Sequence, residues 1–154
     1  MATALSCDFY GHVPGLVVQQ TVNLETADIR VALFNNVHSF NVAHTTWEEI
    51  KDNEITGTGY SSGGIAITHT GNKFDYDAGI YTFGKNANDT EWVESTLSAY
   101  FAVGYIFVDN EGVPDDSSLL LFSKQFDGEV ITSNATFKID WDIDGIFRFV
   151  VNPA

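Results

Sequence analysis

Hydrophobic residues alternate with polar ones at 65–68 and weakly at 29–34, which is the period-two pattern typical of β-strands. This pattern, together with enrichment in aromatic and β-branched residues, predicts strands at residues 29–34, 65–70, 73–76, 80–83, 97–108, 119–122, 135–141 and 146–151. Short strands at this spacing, separated by turn-forming residues, predict a mainly β protein with an antiparallel β-sandwich or barrel-like domain.

Turn-forming residues add detail to the strand pattern. Residues 77–79 predict a tight turn between two short strands, and residues 142–145 predict a hairpin between the last two strands. Gly104 interrupts the long strand 97–108 and predicts a β-bulge there.

Two segments lack strand alternation and are candidates for a helix. Residues 42–51 place Trp47 and Ile50 three positions apart, a spacing that puts both side chains on one helical face. Residues 14–20 form a second, shorter candidate with no clear period. The sequence therefore predicts one short helix, placed preferentially at 42–51.

A glycine-rich segment before the strand at 65–70 predicts a structural corner. Its residues are Gly57, Gly59, Tyr60, Gly63 and Gly64. We expect positive φ at Gly59 or Gly63, because glycine adopts it at low cost, and we expect the Tyr60 ring to cover the sheet edge with its hydroxyl at the rim. A phosphate-binding loop is disfavoured, because a strand pattern follows Gly64 and no lysine occurs between Gly64 and Lys73.

Composition limits the classes of partner. The chain has 154 residues, of which 44% are hydrophobic, and its formal net charge is −14. This length and apolar content support one folded domain, while the negative charge argues against binding to nucleic acid or to an anionic membrane.

Cys7 is the only cysteine, so no intrachain disulfide is expected. The N-terminal residues lack the basic and apolar regions of a signal peptide, and we expect a soluble protein made in a cytosol.

Three acidic residues near the C-terminus are weak candidates for a metal site. Asp140, Asp142 and Asp144 alternate and precede Gly145, as in the first half of a calcium loop. Such a loop closes with a bidentate glutamate at its twelfth position, where this chain has Val151. We therefore expect no bound metal, with the acids facing solvent and Trp141 and Ile143 facing inward.

No catalytic or cofactor-binding residue is predicted. The four histidines share no metal-ligand spacing, and no serine lies in a nucleophile elbow. A carboxylate pair for glycoside hydrolysis remains an open alternative, because sequence alone cannot place two acids in one cleft. Trp47, Trp92 and Trp141 could form a sugar-binding platform, but in an aromatic-rich sandwich they are expected in the core.

The order of four motifs resembles small structural proteins of tailed bacteriophages. The motifs are Ala-His-x-x-Trp at 43–47, Gly-x-Gly-Tyr-x-x-Gly-Gly at 57–64, Trp-x-x-Ser-Thr at 92–96 and Trp-Asp-x-x-Gly-Ile-Phe at 141–147. Each motif is weak alone, and the resemblance depends on their order and spacing over about residues 24–151.

The resemblance implies a non-enzymatic virion protein that most resembles capsid decoration or minor head proteins. Its implied location is the head surface after synthesis in the host cytoplasm, its implied partner is the major capsid protein, and self-association into a homo-oligomer is a further option. A neck or tail component and a glycan-binding adhesion module are the alternatives.

Residues 1–23 lie outside the resemblance and are expected to form an anchoring segment, next to a single sandwich domain at 24–154. The candidate anchor residues are Val13, Leu16, Val17 and Val18. We expect these residues to be exposed in the free protein and buried on assembly, so that a chain lacking residues 1–20 would still fold.

Overall fold

The computed structural model describes residues 2–4 and 7–150, with side chains described from residue 7 to residue 149. The predicted strand end at Val151 lies outside the described residues. The strands in chain order are β1 (Ala2–Ala4), β2 (Asp8–Phe9), β3 (Ile29–Phe34), β4 (Ile65–Ala66), β5 (Phe74–Asp77), β6 (Ile80–Phe83), β7 (Thr90–Ser95), β8 (Ser98–Ile106), β9 (Asp109–Asn110), β10 (Val113–Pro114), β11 (Leu119–Ile131), β12 (Ala135–Ile139) and β13 (Phe147–Val150).

Two antiparallel sheets form the body of the domain. The four-stranded sheet has the order β1-β13-β6-β5, and the five-stranded sheet has the order β2-β11-β8-β3-β4. Strands β7 and β12 form a separate pair, as do β9 and β10. The mainly β, antiparallel, sandwich-like fold with one helix is thus confirmed, and the described strands do not close into a barrel.

Aromatic and aliphatic side chains fill the space between the sheets. Phe83 and Phe147 of the four-stranded sheet stack at 4.9 Å between ring centroids. Phe147 in turn lies 6.3 Å from Phe122, which belongs to β11 of the other sheet. All three side chains are fully buried, so the core lies between the facing sheets.

The α-helix occurs at the less favoured of the two predicted places. Helix α1 is Val13–Val18, with a proline in its first turn. The preferred segment forms two 3₁₀ turns instead, Trp47–Glu49 and Lys51–Asn53. The Trp47 N–H donates to the Ser118 carbonyl at 2.9 Å, which ties this segment to its neighbour in space. A spacing of three between apolar residues also suits the three-residue 3₁₀ turn.

The predicted C-terminal hairpin is wrong. Strand β12 pairs with β7, whereas β13 pairs with β6 and β1, so the turn at 142–145 connects two different sheets. The Trp141 indole N–H donates to Thr90 Oγ1 at 3.0 Å, and the Ile146 N–H donates to the Phe83 carbonyl at 2.8 Å. These bonds anchor the two ends of the turn at separate strands.

A bulge occurs beside Gly104, but in the opposite strand. Leu120 faces Tyr105 and Phe122 faces Gly104, so β11 has one extra residue at this point. A Cβ at position 104 would overlap the Phe122 ring. Gly104 is therefore required for space, while the extra residue is in β11.

The N-terminal residues belong to the domain and do not form a separate arm. Strand β1 pairs with β13, and β2 pairs with β11, so the first residues contribute to both sheets. Tyr10 and Val13 are fully buried. Removing residues 1–20 would therefore remove strands and core side chains, contrary to the expectation of an independently folded remainder.

Candidate functional site

One end of the four-stranded sheet carries aromatic side chains beyond the closed core. Phe74, Phe83 and Phe147 lie side by side on β5, β6 and β13, and the next row on the same face is Tyr76, Tyr81 and Phe149. Tyr76 is 61% exposed and Tyr81 is 47% exposed, whereas the inner row includes the fully buried Phe83 and Phe147. The inner face of the sandwich thus continues to the protein surface.

Helix α1 and the chain that follows it form the opposite wall. Together with the aromatic side chains of Phe74, Tyr81 and Phe149 they form an open cleft of about 760 Å³. Val17, Val18, Val22, Phe74, Tyr81 and Phe149 line it, and we call this cleft the apolar mouth. Its volume lies in the range of ligand-binding clefts, and its apolar lining suits aliphatic or aromatic groups.

The candidate anchor residues divide between the core and this mouth. Val13 is fully buried and is unavailable for an external contact. Leu16 is half-buried, whereas Val17 is 36% exposed and Val18 is 80% exposed. In a helix of six residues only one face can point into the core, which leaves Val17 and Val18 to line the cleft.

Glu25 fixes the second wall against the sheet edge. Its carboxylate accepts the Lys73 N–H at 3.2 Å through Oε1 and the Phe74 N–H at 3.3 Å through Oε2. Lys73 Nζ donates to the Ala27 carbonyl at 2.9 Å. These bonds hold the segment after α1 in place beside β5.

The glycine corner lies at another part of the surface. Gly59, Gly63 and Gly64 have φ of +83°, +90° and +69°, so the expected positive φ is found at both predicted positions. Gly57 does not have positive φ, but a Cβ there would lie 2.7 Å from the Thr96 carbonyl oxygen. A Cβ at Gly64 would overlap the Val31 carbonyl, so the corner needs glycine for close approach as well as for φ.

The Tyr60 hydroxyl lies inside this corner, not at its rim as expected. It accepts the Leu33 N–H at 3.0 Å and donates to Glu54 Oε1 at 2.7 Å. The Glu54 carboxylate also accepts the Gly63 N–H at 2.6 Å and the Ser62 hydroxyl at 2.9 Å. No pattern in the sequence singled out Glu54, because a single acid in a polar stretch shows no periodicity.

Burial raises the pKa of Glu54, and the hydrogen bonds from Tyr60, Gly63 and Ser62 act in the opposite direction. The Glu54 carboxylate is therefore already hydrogen-bonded to groups of the glycine corner. A polar cleft of about 540 Å³ lies alongside, with Asp116 held by Lys51 at 2.8 Å. Asp52, Glu54, Asp115 and Asp116 line this cleft, so a carboxylate pair for the glycosidase alternative would be sought there.

The acids that were weak metal candidates make local contacts. Asp140 pairs with Lys138 at 3.0 Å, and Asp142 Oδ1 accepts the Asp144 N–H at 2.8 Å. Within residues 2–4 and 7–150, no group of three or more histidine, cysteine, aspartate or glutamate side chains is placed to hold a metal ion. Ile143 is 84% exposed, contrary to the expected inward direction, because the turn ends the strand alternation before this residue.

The three tryptophans are core residues. Trp47, Trp92 and Trp141 are 3%, 4% and 8% exposed, so they present no platform for a sugar.

His38 is also buried, and its ring lies 4.8 Å from that of Phe34. Burial, with a smaller contribution from nearby His44, lowers the pKa of His38 to about 4.

Among the described residues, no helix has the length and apolar character needed to cross a membrane. No protein-family model, curated protein or solved structure matches the chain.

Proposed function

We propose that this chain is a non-enzymatic structural protein of a tailed-phage virion, which decorates or cements the head and attaches through the apolar mouth. The observation that carries the proposal is the mouth itself. Val18 and Tyr81 line it and are exposed, and the exposed Tyr76 ring packs against that of Tyr81. Soluble monomers rarely leave a large apolar area open without a binding role.

The proposal agrees with the four ordered motifs that resemble phage structural proteins. It also agrees with the location of the exposed part of the candidate anchor, Val17 and Val18, in one wall of the mouth. The partner in this proposal is the major capsid protein. A second version of the proposal adds a contact between neighbouring copies of this chain.

The negative charge suits the surface that remains exposed on a particle. Acidic residues outnumber basic ones by 21 to 7, which keeps a crowded surface layer soluble. Many identical copies on a symmetric shell also need only a small contact each. Where neighbouring copies also contact each other on the shell, these contacts link their mouths and add avidity to each attachment.

The experiment is to count copies per purified particle by quantitative mass spectrometry, with the major capsid protein as the internal reference. Head decoration predicts a copy number comparable with that of the capsid protein. A count of about a dozen or fewer would overturn it in favour of the neck or tail, because those structures are small rings or tips.

Glycan binding is a second candidate, supported by the Tyr76 and Tyr81 rings. Their centroids lie 4.6 Å apart, and both side chains are exposed. Aromatic faces stack on the apolar side of a sugar ring. A glycan array with wild type and Tyr76→Ala tests this function, and a polysaccharide hydrolysis assay on the same glycans tests the glycosidase alternative.

A further inference from the structure

Strand β5 is an open sheet edge that borders the apolar mouth. It is the last strand in the order β1-β13-β6-β5, and it pairs with β6 from Phe74 to Asp77. The Gly84 N–H donates to the Lys73 carbonyl at 2.9 Å, which sets the alternation of bonded and non-bonded pairs along this ladder. The backbone groups of Phe74 and Tyr76 therefore point away from β6, toward the open edge.

In the part of the chain that the structure describes, only the beginning of this edge is covered. Glu25 accepts the Phe74 N–H, as described above, so the edge is closed where the strand starts. Tyr76 lies beyond this contact and leaves its N–H and carbonyl facing outward. Exposed edges of this kind accept an added strand from another polypeptide.

The two faces of the edge have opposite character. The Phe74 and Tyr76 side chains lie on the face of the mouth, whereas Asp75 and Asp77 lie on the other face because neighbouring residues alternate. Asp75 accepts a hydrogen bond from Asn86 at 2.9 Å, and the ion pairs among the described residues include neither Asp75 nor Asp77. The outer face thus offers negative charge without an internal cation.

We infer that the mouth and the β5 edge together bind an extended segment of a partner polypeptide in which apolar and basic residues alternate. The segment adds as a fifth strand beside β5. Its apolar side chains enter the mouth next to Phe74 and Val18, and its basic side chains lie opposite Asp75 and Asp77. This inference rests on the proposed function, since the mouth is the attachment site in both.

The test uses synthetic peptides of about eight residues, the length of a typical strand. The first alternates valine and lysine, the second has the same composition in two blocks, and the third alternates valine and glutamate. Binding to the full-length, isotope-labelled protein is followed by amide chemical shifts and by hydrogen exchange. The alternating basic peptide is expected to bind at least about 10-fold more tightly than either control peptide.

Hydrogen exchange supplies the readout specific to strand addition. The Tyr76 amide is expected to exchange at least about 10-fold more slowly with the alternating basic peptide, because its N–H becomes hydrogen-bonded. Equal binding of the block peptide, or an unchanged Tyr76 amide at saturation, would overturn the inference. No binding of the alternating basic peptide at millimolar concentration would also overturn it.

Two matched variants locate the site. Val18→Asp places a charge in the mouth, and Ile143→Asp makes the same change at a side chain of similar exposure, 84% against 80%, outside the mouth. Val18→Asp is expected to weaken binding of the peptide by at least about 10-fold, and Ile143→Asp is expected to leave it unchanged. Equal effects of both variants would contradict binding at the mouth.

Failure of this inference is distinguishable from failure of the proposed function. A high copy number on particles without binding of the alternating peptide would retain head decoration and reject strand addition. Peptide binding at the mouth with a low copy number would retain the docking edge and reject head decoration.

Discussion

The hydroxyl of Tyr60 donates a 2.7 Å hydrogen bond to Glu54 and accepts the Leu33 N–H at 3.0 Å. One side chain thus connects the glycine corner to β3 and to the end of the 3₁₀ segment. The motif that contains Tyr60 therefore has a structural explanation that needs no ligand.

Replacement of Tyr60 by phenylalanine removes this connection and keeps the ring. The Leu33 N–H and the Glu54 carboxylate would each lose a partner in a buried position. We expect the free energy of unfolding to fall by about 2 kcal/mol, measured by urea denaturation. The control is Tyr76→Phe, which removes a hydroxyl from a side chain that is 61% exposed and should change stability by less than about 0.5 kcal/mol. Equal effects would contradict a structural role for the Tyr60 hydroxyl.

Substitutions at Gly64 and Gly112 distinguish two reasons for glycine, which are close approach of the backbone and positive φ. Their φ values are +69° and +90°, but an added Cβ overlaps the Val31 carbonyl only at Gly64, and nothing lies within 4 Å at Gly112. Gly112→Ala is therefore expected to cost about 1 kcal/mol for φ alone. Gly64→Ala is expected to cost at least about 2 kcal/mol more, because β3 must also move. Thermal unfolding of both variants measures the difference, and equal losses would show that φ alone requires glycine in the corner.

His38 predicts an acid-dependent loss of stability. Its folded pKa of about 4 lies below the ordinary value of 6.5, so the unfolded chain binds a proton first as the pH falls. The contribution of neutral His38 to the free energy of unfolding is complete above pH 6.5. It is lost as the pH falls from 6.5 toward 4. Between pH 7.5 and pH 4.5 this loss amounts to about 2.5 kcal/mol.

The variant His38→Phe tests this pH dependence, because it keeps a ring beside Phe34 and Phe101 and removes the titrating group. Urea unfolding at pH 7.5 and pH 4.5 should show a stability loss smaller in the variant than in wild type by about 2.5 kcal/mol. The same loss in both proteins would assign the acid sensitivity to other groups.

Local patterns in the sequence correctly predicted strand β3 and the turn after β5. Strand β3 has the predicted bounds of 29–34, and Ala78 and Gly79 adopt positive φ in the turn between β5 and β6. In both cases alternation and turn chemistry act within a few residues, so they can be seen without knowledge of the rest of the fold.

Long-range pairing was not visible in the sequence. The separation of β12 from β13 depends on pairing with β7 and β6, which are distant in the chain. The same holds for the mouth, because Val18 and Phe149 lie at opposite ends of the sequence. The sequence identified Val17 and Val18 as apolar residues that could bind a partner, but the sheet topology supplies the wall opposite them.

The most direct test of the central claim is saturation binding of purified protein to phage particles assembled without it. Wild type, Val18→Asp and Ile143→Asp are compared after each variant has been shown to unfold cooperatively like wild type. The account predicts that wild type and Ile143→Asp reach the same high number of copies per particle, and that Val18→Asp binds at least about 10-fold more weakly. Undiminished binding of Val18→Asp, or saturation of wild type at about a dozen copies or fewer, would contradict attachment of a head protein through the apolar mouth.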